Sequence, residues 1–317
     1  MIDLRAGRLR WHLMSIQQSL LYARGAVVVG RFVWKPARPG ERRASRIGDT
    51  PLLVIPRHPV RITQQQQARG EPFIADPASA VFYNAGEPYV AERLVEDGEE
   101  SVYFDVDPAM ARDVAQEVGA GRHADHPRRP LPFTHGPCDP RTFALHRRLV
   151  AHLANAKHVD PLAVEETVVR FSEHLLRASF AALAEAPRRV TSSGDARRRD
   201  GAEAARVLLL RRFREPLGLG EIASHVGLSS HHLCRIFRAH VGRSMHQYRL
   251  DLRLRAALEP LCEARVPLTA LALDLGFNSQ SHFTAAFTSR FGVSPARYRQ
   301  DARAGKPPAR AVTFLKD

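Results

Sequence analysis

Few residues in this chain are placed to do covalent chemistry. His123, His126, His135 and Cys138 form an H-x2-H…H-x2-C series, the imidazole and thiolate donors that hold zinc tetrahedrally. They stand among Pro127, Pro130, Pro132 and Pro137 in an apparent connector, and their spacing matches zinc frameworks poorly, so no metal site is expected. Cys234 and Cys262 are the other cysteines, too few and too scattered for a disulfide framework. No nucleophile sits beside a base in a recognisable local context. Neither catalytic residues nor a cofactor are expected, and the chain reads as a protein that is not an enzyme. Cations, by contrast, are plentiful. Lys plus Arg number 47 against 33 Asp plus Glu, a formal charge of +14, and the pI is near 10.7. That balance favours an anionic partner, double-stranded DNA first among them.

The elements that must carry these charges fall into two domains, as 317 residues suggest. Apolar residues at 44% and charged residues at 25% are the mix of a globular protein. No run reaches the roughly 18 apolar residues of a spanning helix, so no membrane partner is expected. The apolar patch Leu13–Leu21 is broken by Ser15, Gln17, Gln18 and Ser19, which makes a poor secretory segment and implies a cytoplasmic protein. Residues 1–28 look unattached to any pattern, as a disordered leader or the product of a start codon placed too far upstream. Within 47–106, short apolar runs at Leu52–Ile55, Ala80–Tyr83 and Ser101–Phe104 alternate with turn signals at Asp76-Pro77, Asn84–Pro88 and Glu96–Glu99. This predicts an antiparallel barrel or sandwich. The run Gln64–Gln67 fits a polar strand end or hairpin.

Asp139-Pro140 and Asp160-Pro161 each set an N-cap acceptor before a proline and predict two helices. In the second, Val164, Val168, Phe171, Leu175, Ala178 and Ala182 lay one apolar seam along a face. The seam fits packing on the β-domain or a contact between two copies of the chain. A Ser/Gly/Arg stretch, Thr191–Arg199, then lacks apolar periodicity and reads as a linker.

Beyond it the sequence nearly repeats itself. Glu221–Ser229, His232-Leu233, Phe237, Gly242 and Ser244 are echoed by Leu271–Asn278, His282-Phe283, Phe287, Gly292 and Ser294, with Phe, Gly and Ser all 50 residues apart. Each copy has a short helix closed by glycine (Gly227, Gly276), an apolar plug (Leu228, Phe277), an N-cap candidate (Ser229, Asn278) and a second helix. These are the parts of a helix-turn-helix, present twice.

The segment resembles the DNA-binding domain of AraC/XylS-type transcriptional regulators. The matching residues include Ile222-Ala223, Gly227-Leu228-Ser229, Arg235-Ile236-Phe237, Gly242-Arg243-Ser244, Tyr248, Arg253-Leu254, Gly276-Phe277, Gln280-Ser281 and Phe291–Arg299. The resemblance implies seven helices, with a linker helix over about Met245–Glu259 holding two recognition helices in successive major grooves, ~34 Å apart. It implies groove-facing roles for Ser230, His231, Cys234 and Arg235, with Arg238 nearer the DNA backbone and Ser229, the N-cap candidate, also counted among the DNA-binding residues. Arg235 is the strongest base-reading candidate, since its fork matches guanine O6 and N7; a phosphate contact is the competing reading. In the second unit Gln280, Ser281 and Thr284 remain, whereas Ala285 and Thr288 stand where the family often carries cations, so a weaker contribution is expected. Arg290, Arg297 and Arg299 are expected on phosphates. The β-rich part is similar to the cupin-like sensor domain of such regulators, but residues 59–106 contain no histidine to hold a cupin metal.

The expected fold is therefore α+β with two domains: an N-terminal antiparallel β-barrel (cupin-like) followed by helices, and a C-terminal all-α double helix-turn-helix domain. The expected boundaries are a leader 1–28, a ligand-sensing domain 29–136, a helical transmission or dimerisation segment 137–186, a linker 187–199, a DNA-binding domain 200–301 and a basic tail 302–317. The expected function is sequence-specific transcription regulation with a small-molecule effector and a homodimer, and RNA polymerase as a further partner if the protein activates. Two alternatives stay open: a constitutive regulator whose β-domain only dimerises, and a cupin-type enzyme tethered to DNA.

Overall fold

The computed structural model describes residues 16–304 apart from 26, 35–38, 65–70, 96–98, 122–125, 127–128, 157, 186–192 and 264–265. His123, Gln65–Gln67, residues 187–192 of the expected linker and most of the basic tail lie outside the described residues. The architecture is the expected α+β pair of domains, yet the chain does not divide at a single cut. One compact unit holds the chain up to Asp139 together with Ala156–Ala186, and the other holds Pro140–Asn155 together with Pro187–Lys306.

The first unit is built on two antiparallel sheets. Six strands run in the order β1 (Ile16–Arg24), β2 (Val27–Trp34), β9 (Glu99–Asp105), β4 (Leu52–Pro56), β7 (Ser79–Tyr83) and β10 (His135–Pro137). Four more run β3 (Arg42–Arg46), β8 (Pro88–Arg93), β5 (Val60–Gln64) and β6 (Phe73–Ala75). The three apolar runs evident in the sequence are neighbours at the centre of the larger sheet, where Leu53 lies opposite both Phe104 and Phe82. Strands so placed are covered on both faces and read as continuous apolar runs. The barrel expectation needs correction: the described strands form two separate sheets rather than one closed ring. Trp34, Ile62, Val81, Tyr83 and Tyr103 are buried in one cluster that draws residues from both sheets.

The leader expectation fails for residues 16–24. They form β1, an antiparallel edge partner of β2 reached through Gly25 at φ 57°. Its exposed Gln17, Gln18, Ser19 and Leu20 hide the strand from any search for apolar runs, because an edge strand faces solvent. Helix α1 (Pro108–Glu117) is capped by Asp107, whose carboxylate accepts from the Ala109 amide at 2.8 Å.

Helices α2 (Pro140–Asn155) and α3 (Pro161–Glu185) begin at the two predicted prolines. They do not form one segment: α3 packs in the first unit and α2 in the second. The seam of α3 is consumed internally. Val164, Val168, Phe171 and Leu175 are buried, with Phe171 5.0 Å from Phe104 between ring centroids, while Ala178 is half-buried and Ala182 exposed.

In the second unit, α2 buries Phe143, Leu145, Leu149 and Val150. Arg147 pairs with Glu259 at 3.4 Å, Arg255 lies over the Phe143 ring, and the Tyr298 hydroxyl donates to the Ala144 carbonyl at 3.2 Å. The expected linker is corrected too, since α4 runs from Ser193 to Arg212. Arg and Ala are good helix formers, and a missing apolar stripe marks a solvated first part of a helix as readily as a loop.

Candidate nucleic-acid interface

Residues from α4 onward form the seven expected helices. After α4 come α5 (Leu219–His225), α6 (Ser230–Val241), α7 (Met245–Glu263), α8 (Leu268–Asp274), α9 (Gln280–Phe291) and α10 (Pro295–Arg303). The linker helix α7 runs four residues past its expected end, through Pro260.

Each helix-turn-helix is closed by local chemistry. Gly227 and Gly276 take φ of +69° and +80°, the left-handed region that an L side chain enters at a cost. The plugs follow: the Leu228 amide donates to the Ala223 carbonyl at 3.0 Å and the Phe277 amide to Ala272 at 2.9 Å. Ser229 caps α6, its hydroxyl accepting from the His232 amide at 3.3 Å. The second cap is Ser279, not Asn278, and it accepts from the His282 amide at 3.1 Å. The second turn is one residue longer than the first, so the 50-residue offset that holds for Phe, Gly and Ser also carries Ser229 onto Ser279. That offset was the signal that identifies the cap.

The outward faces of α6 and α9 differ. On α6, Leu233, Ile236 and Phe237 are buried, while His231, Cys234, Arg235 and Arg238 are exposed and Ser230 is half-buried. Spacings of three and four place this exposed set along one stripe. Arg235 Nη2 lies 3.2 Å from His232 Nδ1, and Ser229 is committed to its cap. On α9, Phe283, Phe287 and Phe291 point inward, Gln280 and Ser281 are exposed and Thr284 is half-buried. Gln280 Oε1 accepts from the Thr269 hydroxyl at 2.5 Å, which leaves its amide NH2 as the outward donor. No cation accompanies Gln280, Ser281 and Thr284 on that stripe.

The three arginines expected on phosphates have internal partners. Arg290 pairs with Asp251, which is 5% exposed and also holds Arg243. Arg297 pairs with Asp301 at 3.1 Å and stays largely exposed. Arg299 donates to the Val266 carbonyl at 2.7 Å, and burial pushes its guanidinium below its ordinary pKa.

Sequence reasoning named Arg243 and Arg253 only as matches to the family and missed that they, with Arg249 and Asp251, lock the two helix-turn-helix halves together. Arg253 on α7 donates to the carbonyls of Phe213 at 2.7 Å and Gly276 at 2.6 Å, and Arg249 donates to Leu217 at 2.9 Å. Asp251 joins Arg243, which follows α6 of the first helix-turn-helix, to Arg290 near the end of α9. The signal was a buried-phase acid in Leu250-Asp251-Leu252, since a carboxylate stays inside only when paired.

A helix-turn-helix domain family matches residues 222–301. The multiple antibiotic resistance protein MarA of Escherichia coli (strain K12) is 33% identical over 94 residues, 30% of this chain and 74% of MarA. The chain belongs to the AraC family of transcriptional regulators. A second relative, the HTH-type transcriptional regulator ArgR of Pseudomonas aeruginosa, is 38% identical over 99 residues. That match covers 31% of this chain and only 30% of ArgR. Among solved structures, apo ToxT of Vibrio cholerae aligns over 87% of this chain and 98% of its own, at 11% identity and a TM-score of 0.37. The matched family region, residues 222–301, is thus the double helix-turn-helix just described.

Proposed function

We propose that this chain is a sequence-specific DNA-binding transcription regulator in which α6 makes the main base contacts, α9 makes a weaker second set, and the β unit takes a small-molecule effector. The observation that carries the reading is the stripe on α6: His231, Cys234, Arg235 and Arg238 face outward from a helix whose other face is core. Ser230 borders that stripe. Arg235 supplies the bidentate fork for a guanine, worth about 1–3 kcal/mol of discrimination. Arg238 and Arg297 meet phosphates, and Gln280 and Ser281 read the second half-site beside Thr284. Arg299 acts from beneath, positioning α10. The effector assignment is supported by a cavity between the two sheets. The protein acts in the cytoplasm as a homodimer, and it is not an enzyme.

The test is fluorescence anisotropy on the DNA upstream of its own and neighbouring genes, over a salt series. Tight binding to one fragment, with the preference removed by Arg235→Ala more than by Gln280→Ala, is the expected result. Weak, equal binding to every fragment that neither substitution changes would overturn the reading.

A further inference from the structure

Thr269 and Gln280 stand on successive helices of the second helix-turn-helix, Thr269 in the first turn of α8 and Gln280 at the first position of α9. Both are exposed, yet the Thr269 hydroxyl donates to Gln280 Oε1 at 2.5 Å. Neither side chain closes its own helix: α8 has Pro267 at its N-cap with no side-chain cap bond, and α9 is capped by the Ser279 hydroxyl. An exposed hydrogen bond between two side chains replaces bonds to water and adds little to stability. What it fixes is direction. The carbonyl end of the Gln280 amide is turned to α8, and the outward end is NH2, two donors with no acceptor beside them.

That direction changes what the residue can read. A free glutamine pairs with adenine through both ends of its amide, donating to N7 and accepting from the N6 amino group. With its oxygen held by Thr269, Gln280 offers donors only, and the N6 amino group of adenine would face a donor. Guanine presents two acceptors side by side, O6 and N7. The first unit has no counterpart of this pair. The turn glycines are 49 residues apart and the caps 50, and those offsets place Gly220 and Ser230 where the second unit has Thr269 and Gln280. Glycine has no hydroxyl to offer.

We infer that Thr269 is a positioning residue that sets the base preference of α9, holding Gln280 as a donor so that it selects a G·C pair over A·T. The inference rests on the reading of α9 as the second recognition helix. Thr269 acts through Gln280, so its removal changes which base pair is preferred and leaves the fold as it is.

The experiment is selection of binding sites by the full chain from a randomised duplex library, repeated with Gln280→Ala, Thr269→Val and Thr269→Ser. Anisotropy then compares duplexes carrying each base pair at the position whose preference Gln280→Ala removes. The wild type is expected to favour G·C over A·T there by about fivefold or more. Thr269→Val, which keeps the shape and loses the hydroxyl, should bring that preference below about twofold or turn it to A·T. Thr269→Ser, which keeps the hydroxyl, should retain it; a merely structural threonine would give no such split between serine and valine. An A·T preference in the wild type, or a G·C preference that survives Thr269→Val, would overturn the inference and leave α9 standing as a reader of bases. If no position responds to Gln280→Ala, the inference and the reading of α9 fall together. The wild-type comparison needs no Thr269 variant and so does not depend on how Thr269→Val folds.

Discussion

Arg253 Nη1 donates to the Gly276 carbonyl at 2.6 Å, so the middle helix of the DNA-binding unit grips the turn of the second helix-turn-helix directly. The same guanidinium holds the end of α4 through the Phe213 carbonyl. Burial pushes Arg253 below its ordinary pKa, yet an arginine stays charged throughout the accessible pH range. One side chain therefore fixes three segments.

The two turn glycines should respond unequally to alanine. At Gly227 a Cβ would meet nothing within 4 Å, so Gly227→Ala carries only the left-handed backbone cost, about 1–2 kcal/mol. At Gly276 a Cβ would lie 2.2 Å from the Arg214 carbonyl oxygen and 2.6 Å from Arg253 Nη2, a clash with backbone and with the clamp. Gly276→Ala should destabilise by about 3 kcal/mol or more, at the upper end of single-residue effects. Urea unfolding of both variants checks this, and equal losses would rule out the clamp.

Cation contacts to DNA should sort by position. Arg235→Ala should lose about 1–3 kcal/mol of preference for one base pair. Arg297→Ala should weaken binding to all fragments alike and lower the salt slope by about one. Arg297 must first leave Asp301, so Asp301→Asn should strengthen non-specific binding modestly. Anisotropy at several salt concentrations on matched and single-mismatch sites distinguishes the two classes of contact.

Cys234 is exposed in the middle of the α6 stripe, whereas Cys138 is buried. Treatment with N-ethylmaleimide should modify Cys234 readily and abolish specific DNA binding, because the adduct occupies the space a base edge would take. Cys234→Ser should bind DNA and resist the reagent. Full DNA binding by the alkylated wild type would remove Cys234 from the interface.

Much of this was legible in the sequence, and the failures have physical causes. The repeat, the glycine turns and the apolar plugs follow from local backbone requirements, which a single sequence displays. The central strands β4, β7 and β9 announced themselves because both faces are covered. Edge strands did not: β1 exposes Gln17–Leu20, and β3 alternates exposed and half-buried residues with Ala44 its one apolar side chain. Helix α1 was overlooked although Asp107-Pro108 carries the same signature as the two helices that were found. The assignment of α2 to the DNA-binding unit was invisible, because an amphipathic face declares that it is buried and not against what. The clamps by Asp251 and Arg253 depend on segments 23 to 40 residues away, beyond any local pattern.

The buried imidazole of α2 gives this placement a pH signature. His146 is 2% exposed, and its pKa is held well below the ordinary value of 6.5, first by burial and then by the neighbouring Arg147 charge. The folded state therefore keeps His146 neutral at pH values where the unfolded chain already protonates it. Because the unfolded state then binds the extra proton, stability is full above pH 6.5 and falls as the pH drops below it. The slope approaches about 1.4 kcal/mol per pH unit for one such group. In the first unit Asp105 has the opposite sense: burial pushes its carboxyl from the ordinary 3.8 up to about 6, so its contribution grows as the pH falls from 6 toward 4. Thermal unfolding from pH 7.5 to 5 should show the second unit weakening, with the slope reduced in His146→Leu. Asp105→Asn should raise stability at pH 7 and reduce the difference near pH 4. A slope in His146→Leu equal to that of the wild type would mean that α2 does not hold its histidine in the core of the DNA-binding unit.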